Sequence, residues 1–255
     1  MPGMCAAEPA LTLDAPSAAP GGRVTGRADG ADAVELVRRE HTPAGRGGFH
    51  VAECAPAADG RFALELPADV APSADGERCA LAYAVVAVRG SGRDRATAEG
   101  QLRVQGGPVQ AHLSDGPHDR LIASFDARRF HVELAEADLR GGGGVAGRVH
   151  ANRASPPDAI VVCARLLECW RICRQWKACV QPLWHDEIVW ESEPLALRWP
   201  EQRRWLPFGF PLPPGLPPAF EGRVLAWRYE VEARRPVRFA PDQRAVLTPM
   251  GFLAA

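Results

Sequence analysis

Four of the seven cysteines and four of the seven tryptophans of this 255-residue chain crowd into one stretch, Cys163-ARLLE-Cys169-WRI-Cys173-RQWKA-Cys179-VQPLWHDEIVW. Three thiolates, Cys169, Cys173 and Cys179, with His185 as a fourth ligand, would offer zinc the N/S donors it takes in tetrahedral sites, and a zinc would staple a long insertion. The spacing argues against that chemistry. Structural zinc sites favour paired knuckles of short spacing. Only Cys169-x₃-Cys173 fits, and no second pair follows. A redox-responsive disulfide is a further reading with no positive signal. The plain alternative needs no cofactor. A strand pair packs Cys and Trp on an apolar face, because free Cys behaves as a small buried hydrophobe.

The same stretch interleaves Trp170, Trp176, Trp184 and Trp190 with Arg171, Arg174 and Lys177. Trp and Arg are the residues that anchor protein interfaces. An extended hairpin carrying them is either a partner-binding arm, with Trp170, Arg171, Arg174, Trp176 and Trp184 as its contacts, or a cover for an open sheet edge. Aromatics among basic residues also stack on nucleic-acid bases. The net charge of −1 argues against that partner.

Other chemistry is sparse. His185-Asp186-Glu187 is the tightest His/carboxylate cluster in the sequence, but neighbours on a strand point to opposite faces and make no ready acid–base pair. The remaining histidines are scattered. No nucleophile elbow, P-loop, dinucleotide fingerprint or H-E-x-x-H motif is present. The run Gly141–Gly144 joins two predicted strands instead of opening a helix, so it reads as a turn and not a phosphate cradle.

The elements that must position these residues occur twice. Phe62 to Arg89 aligns without a gap on Phe208 to Arg235, at an offset of 146, with ten of 28 positions identical. The shared residues include Phe62/Phe208, Leu66/Leu212, Pro67/Pro213, Gly76/Gly222 and Tyr83/Tyr229. Upstream, residues 9–27 match 130–148 at an offset of 121, with Gly22, Val24 and Gly26 on Gly143, Val145 and Gly147. The difference of 25 residues between the offsets is an insertion in the second unit, expected between about Val162 and Trp190. Each unit shows short alternating strands with Pro/Gly turns between them, which indicates β-sandwiches. The glycines suit bulges or turns that need φ > 0. Pro67 and Pro213 end strands because Pro cannot donate to a ladder. Tyr83 and Tyr229 each bring an apolar ring and a hydroxyl to satisfy. Trp227-Arg-Tyr229-Glu-Val231-Glu-Ala233 alternates, so one face is buried and the other wet. Its counterpart around Tyr83 is apolar on both faces. It is expected to lie between two layers, or to turn one face to another domain or subunit.

A Gly-x-Val-x-Gly turn opening each unit, then Phe-x-x-x-Leu-Pro, a Pro-containing loop and a long strand with a central Tyr, resembles the arrestin-like family. The resemblance covers most of residues 10–240. It implies an all-β chain of two tandem immunoglobulin-like (arrestin-type) β-sandwiches, in the manner of bacterial sporulation-control and retromer-subunit relatives. It further implies an adaptor or scaffold role without catalysis. No phosphate-sensing motif of the visual-type members is matched.

The expected layout is an N-terminal tail (1–9), a first sandwich (10–106), a linker (107–127), a second sandwich (128–240) carrying the Cys/Trp-rich insertion at about 163–190, and a C-terminal tail (241–255). Residues 1–127 carry 12 basic against 17 acidic side chains, net −5; residues 128–255 carry 18 against 14, net +4. No apolar run is long enough to span a membrane as a helix, and the N-terminus lacks the basic and apolar regions of an export signal. These features, with an odd number of unevenly spread cysteines, place the chain in the cytoplasm with reduced thiols. The functional expectation is a non-catalytic adaptor that binds a protein partner through sheet edges, the cleft between domains and the insertion. Homodimers through sheet edges are a further option. A metal- or redox-responsive domain on Cys163–Cys179 and a small-ligand binder are the alternatives.

Overall fold

The computed structural model describes residues 8–106, 122–123, 130–139, 141–151, 159–176, 179–198, 205–234, 244–247 and 252–253. Contacts divide the chain into two units, residues 1–107 and 108–253. The strands of unit 1 are β1 (Ala10–Leu13), β2 (Arg23–Asp29), β3 (Ala33–Thr42), β4 (Gly45–Cys54), β5 (Arg61–Glu65), β6 (Ala80–Arg89) and β7 (Ala96–Val104). Those of unit 2 are β8 (Phe130–Asp138), β9 (Gly144–Ala151), β10 (Ala159–Trp176), β11 (Cys179–Glu191), β12 (Leu195–Arg198), β13 (Trp205–Pro211), β14 (Leu225–Arg234) and β15 (Arg244–Leu247). Two-residue bridges trim the sheets, and one short 3₁₀ turn (Gly92–Asp94) precedes β7.

Unit 1 sets the sheet β1-β2-β5 against the sheet β7-β6-β3-β4; unit 2 sets β8-β9-β13 against β15-β14-β10-β11, with β12 also on β10. Period-2 alternation makes each core. Val24, Phe62 and Leu64 face Leu36, Leu81, Tyr83 and Val85 in unit 1. Val145, Leu206 and Phe208 face Leu166, Trp227, Tyr229 and Val231 in unit 2. The chain is all-β, in two tandem β-sandwiches.

The backbone repeats bond for bond where the sequence repeats. The Gly21 amide donates to the Pro67 carbonyl and the Gly142 amide to the Pro213 carbonyl, both at 3.1 Å. The Leu66 amide donates to Gly22 and the Leu212 amide to Gly143, both at 2.9 Å. Tyr83 Oη donates to the Ala71 carbonyl at 2.9 Å, and Tyr229 Oη to the Pro217 carbonyl at 2.8 Å. Both tyrosines are buried and reach back twelve residues, so each hydroxyl pins its Pro-containing loop to the central strand.

The glycines correct the sequence reading. In the turns that open the two units the left-handed residues are Gly21 and Gly142, one position before Gly22 and Gly143. Gly26 is glycine for want of room: a Cβ there would lie 2.2 Å from the Thr12 carbonyl oxygen and 2.9 Å from the Phe62 ring.

The outer face of β6 is apolar, as its sequence reads. Ala84, Val86 and Val88 are buried there, with Val37 against them. Ion pairs straddle the strand above them. Arg39 on β3, beside Ala82, reaches Glu99 on β7, beside Val86, at 2.7 Å. Glu35, also beside Val86, reaches Arg95 at 3.0 Å. These paired side chains are 20–46% exposed. The face of β14 expected to be wet is not wholly so: Glu232 is 3% exposed and pairs with Arg165, which also holds Glu191 at 2.8 Å.

Acid reaches the inner faces too. Glu40 and Glu168 are fully buried. Glu40 accepts from Arg38 Nε at 3.1 Å, and Glu168 accepts from Trp227 Nε1 at 3.1 Å.

Two further expectations change. Residues 244–247, taken as part of a tail, form β15 and pair with β14, and Phe252–Leu253 pairs with Phe220–Glu221. The inserted length also divides. Leu36 pairs with Val85, and Ala164 with Val231, so β3 maps on β10 at an offset of 128. Seven of the 25 extra residues therefore precede β10. The other 18 lengthen the β10–β11 hairpin and supply β12.

Candidate partner-binding hairpin

β10 runs for 18 residues where β3 has 10. Its β-branched start (Ile160, Val161, Val162) suits a strand with both neighbours in place. β14 pairs with it from Val161 to Trp170, and β12 from Ala159 to Val162. The Arg171 amide still donates to the Val224 carbonyl at 2.9 Å, and past it only β11 accompanies the strand among the described residues. Ile172 to Trp176 thus continue as a two-stranded ribbon, roughly 17 Å at the rise of an antiparallel strand. β11 is the last strand of its sheet, and its outer edge pairs with no described strand. Pro182 within β11 removes one donor, a device that blunts such edges.

The register sorts the candidate residues by face. Trp170 stands opposite His185, with ring centroids 4.6 Å apart, and Trp170 is only 5% exposed. It belongs to the core. Arg171 stands opposite Trp184 on the other face, its guanidinium 5.4 Å from the indole centroid. Arg228 from β14 lies 5.1 Å from the same ring and holds Glu221 through two bonds, 2.9 and 2.7 Å. Trp184 is therefore bracketed by two cations, one of them fixed by a carboxylate. Leu183 (42%) and Ile188 (50%) are exposed on β11. The backbone of Arg174 pairs with Gln181 and that of Trp176 with Cys179; the side chains of both candidates lie outside the described residues.

The candidate metal ligands are spread by the same register. Cys169 stands opposite Asp186, so its side chain and that of His185 lie on opposite faces. Cys169 and Cys173 are four residues apart on one strand, about 13 Å along it. The Cys173 and Cys179 side chains lie outside the described residues. Cys163 and Cys169 are buried free thiols. Burial raises the pKa of both, and Asp186 raises that of Cys169 further. Such thiols are poor nucleophiles.

The closest His/carboxylate contact among the described residues is one the sequence did not bring to notice. His150 Nε2 lies 2.8 Å from Glu133, which also accepts from Arg148 Nε at 2.9 Å. Arg148 holds the Glu133 carboxyl below its ordinary range, with His150 adding to the effect. Arg148 and His150, neighbours on one face of β9, lie 15 and 17 residues from Glu133 and meet it through the β8–β9 ladder. Trp205, 43% exposed, lies 6.0 Å from the Arg148 guanidinium. The signal available was the alternation of each strand combined with the turn at Gly141–Gly144.

Strand order and register define an all-β protein of two tandem sandwiches, the second bearing a ribbon that the first lacks. Among solved structures the chain is similar to squid arrestin over 97% of its own length and 98% of that chain, with a TM-score of 0.45 and 10% identity. It is similar to Spo0M, a sporulation control protein from Bacillus subtilis, over 50% of its length and 49% of that chain, with a TM-score of 0.32 and 16% identity. No protein-family profile matches the chain, and no curated protein matches it in sequence. The assignment of the fold rests on the ladders described above.

Proposed function

We propose that the protein is a non-catalytic adaptor that holds a protein partner on the β10–β11 hairpin of unit 2. The observation that carries this reading is the ribbon beyond Arg171, at whose base the edge strand β11 exposes Leu183 on one face and bears Trp184, stacked with Arg171, on the other; Ile188 is exposed farther back on β11, opposite Leu167. A partner strand adding to that edge would gain backbone hydrogen bonds, with side chains of both faces setting specificity. The four free thiols among the described residues support the cytoplasmic setting that goes with this role. No described helix is long and apolar enough to cross a membrane.

The test is a variant in which residues 171–184 are replaced by a tight turn, so that the hairpin matches the length of its counterpart in unit 1. Tagged copies of parent and variant would be crosslinked in the native cells and read by mass spectrometry, with thermal melting beside them. A partner crosslinked to β11 in the parent and lost from an equally stable variant is the expected result. Retention of the same partner by the variant would overturn the reading.

A further inference from the structure

The outer face of unit 1 carries a trough that its sister unit has filled. On that face β6 presents Ala80, Ala82 and Ala84. At the 146-residue offset the matching residues of β14 are Ala226, Arg228 and Glu230, and Arg228 there lies on Trp184 and holds Glu221. With Ala82, Tyr83 and Ala84 of β6 as its floor, unit 1 leaves a depression of about 280 Å³. Arg39 and His41 from β3, Arg46 from β4, and Glu99 and Gln101 from β7 wall it.

The walls are unbalanced in charge. His41 stands directly opposite Arg46 in the β3–β4 register, and Arg39 is two residues away on the same face. Arg46 and Arg39 thus put two guanidinium-bearing side chains on the face that His41 occupies. The single carboxylate in the wall, Glu99, already accepts from Arg39. Gly48, opposite Arg39, leaves the guanidinium room, since a Cβ there would sit 3.4 Å from Nη1. The His41 imidazolium is disfavoured first by burial and then by Arg46 and Arg39.

We propose that this trough binds a small oxyanion, a phosphate or carboxylate group, between Arg39, His41 and Arg46. Guanidinium forks match both groups in geometry and charge, and Gln101 adds a neutral amide donor. A bound oxyanion relieves the repulsion between Arg46 and its neighbours and favours the protonated form of His41.

The experiment is an NMR titration of the isotopically labelled whole chain, following the His41 ring. Inorganic phosphate and malonate are added separately at constant ionic strength, with sodium chloride as the blank. The expected result is a saturable shift with phosphate, malonate or both, an upward move of the His41 titration midpoint when the site is full, and binding about tenfold weaker in Arg46→Gln. Arg46 is exposed, so this variant keeps the fold. Arg39→Gln weakens binding as well, but also cuts the bridge to Glu99, so its melting is checked beside it. Arg23→Gln, in the other sheet, binds as the parent does. A preference for phosphate identifies tetrahedral oxyanions as the ligand, and a preference for malonate identifies carboxylates. Shifts no different from those with chloride, or unchanged affinity in Arg46→Gln, would overturn the proposal.

Discussion

Glu40 and Glu168 occupy one position of the fold seen twice. Glu40 stands opposite Leu81 and Glu168 opposite Trp227, and Leu81 maps on Trp227 at the offset of 146. Both carboxylates are fully buried, yet their donors differ. In unit 1 the donor is Arg38, two residues before the acid; the same place in unit 2 is Leu166. In unit 2 the donor is the indole of Trp227, where unit 1 has Leu81. The acid is kept while the donor has moved from the acid's own strand to its neighbour. A buried carboxylate is costly without a donor, so each unit supplies one.

Glu40→Ala leaves the Arg38 guanidinium, 7% exposed, without its carboxylate, and should cost about 3–5 kcal/mol. The double variant Arg38→Leu/Glu40→Leu should recover most of that loss, because apolar residues of similar size can replace a buried pair. Chemical denaturation of the three proteins measures both effects. A double variant no more stable than Glu40→Ala would show that the pair has a role that packing cannot supply.

Tyr83→Phe and Tyr229→Phe each leave a buried loop carbonyl, of Ala71 or Pro217, without its hydroxyl donor. Each should lower stability by about 1–2 kcal/mol, by similar amounts in the two units. Hydrogen exchange at the amides of residues 66–73 and 212–219 should rise in the matching unit only.

Acid should loosen unit 2 through Glu133 and Glu191, whose carboxyls are held below the ordinary range by Arg148 and Arg165 respectively. A carboxylate with a depressed folded pKa contributes stability above its unfolded pKa and loses it as pH falls through the folded value. The denaturation midpoint of the parent should therefore drop more steeply on acidification than that of Glu133→Gln/Glu191→Gln, with the two curves converging at low pH. Parallel curves would remove these two groups from the account.

The duplication was legible because its matching residues sit where the chain must bend. Gly21, Pro67 and Tyr83 make the same bonds as Gly142, Pro213 and Tyr229. The match of Glu40 with Glu168 was hidden, since its offset of 128 equals neither 121 nor 146. β15 was missed because Arg244–Leu247 is only four residues long and lies between prolines, too short to show alternation. The hairpin was visible as a strand pair, but its faces were not: Trp170 and Trp184 look alike in the sequence, and only the register separates a core ring from a surface one. The Glu133–His150 contact needed two strands in register at once.

Trp170→Ala and Trp184→Ala should accordingly diverge. The first empties a core position and should cost about 3–5 kcal/mol. The second removes two cation–π contacts worth about 0.5–1 kcal/mol each at an exposed site, and should weaken partner binding more than it lowers the melting temperature. Equal melting losses would place both rings in the core.

Thiol labelling followed by peptide mass spectrometry should leave Cys79, Cys163 and Cys169 unmodified at neutral pH until denaturant is added, with half-buried Cys54 reacting first among the four described. Labelling of Cys169 that depends on removing zinc with a chelator would revive the metal reading.

The ion pairs across β6 have a consequence for the chain as it is made. β3 leaves the ribosome before β6, but Arg95 and Glu99 come after it. For that interval the segment Cys79–Val88 is a strand with β-branched and small apolar residues on both sides, without charge and without proline. Such segments are prone to pair with copies of themselves on neighbouring chains. Arg95 and Glu99 thus act as late gatekeepers. Chains truncated before residue 95 are expected to aggregate during synthesis, while chains extended through β7 stay dispersed, an outcome that a pelleting assay on stalled translation products would read directly.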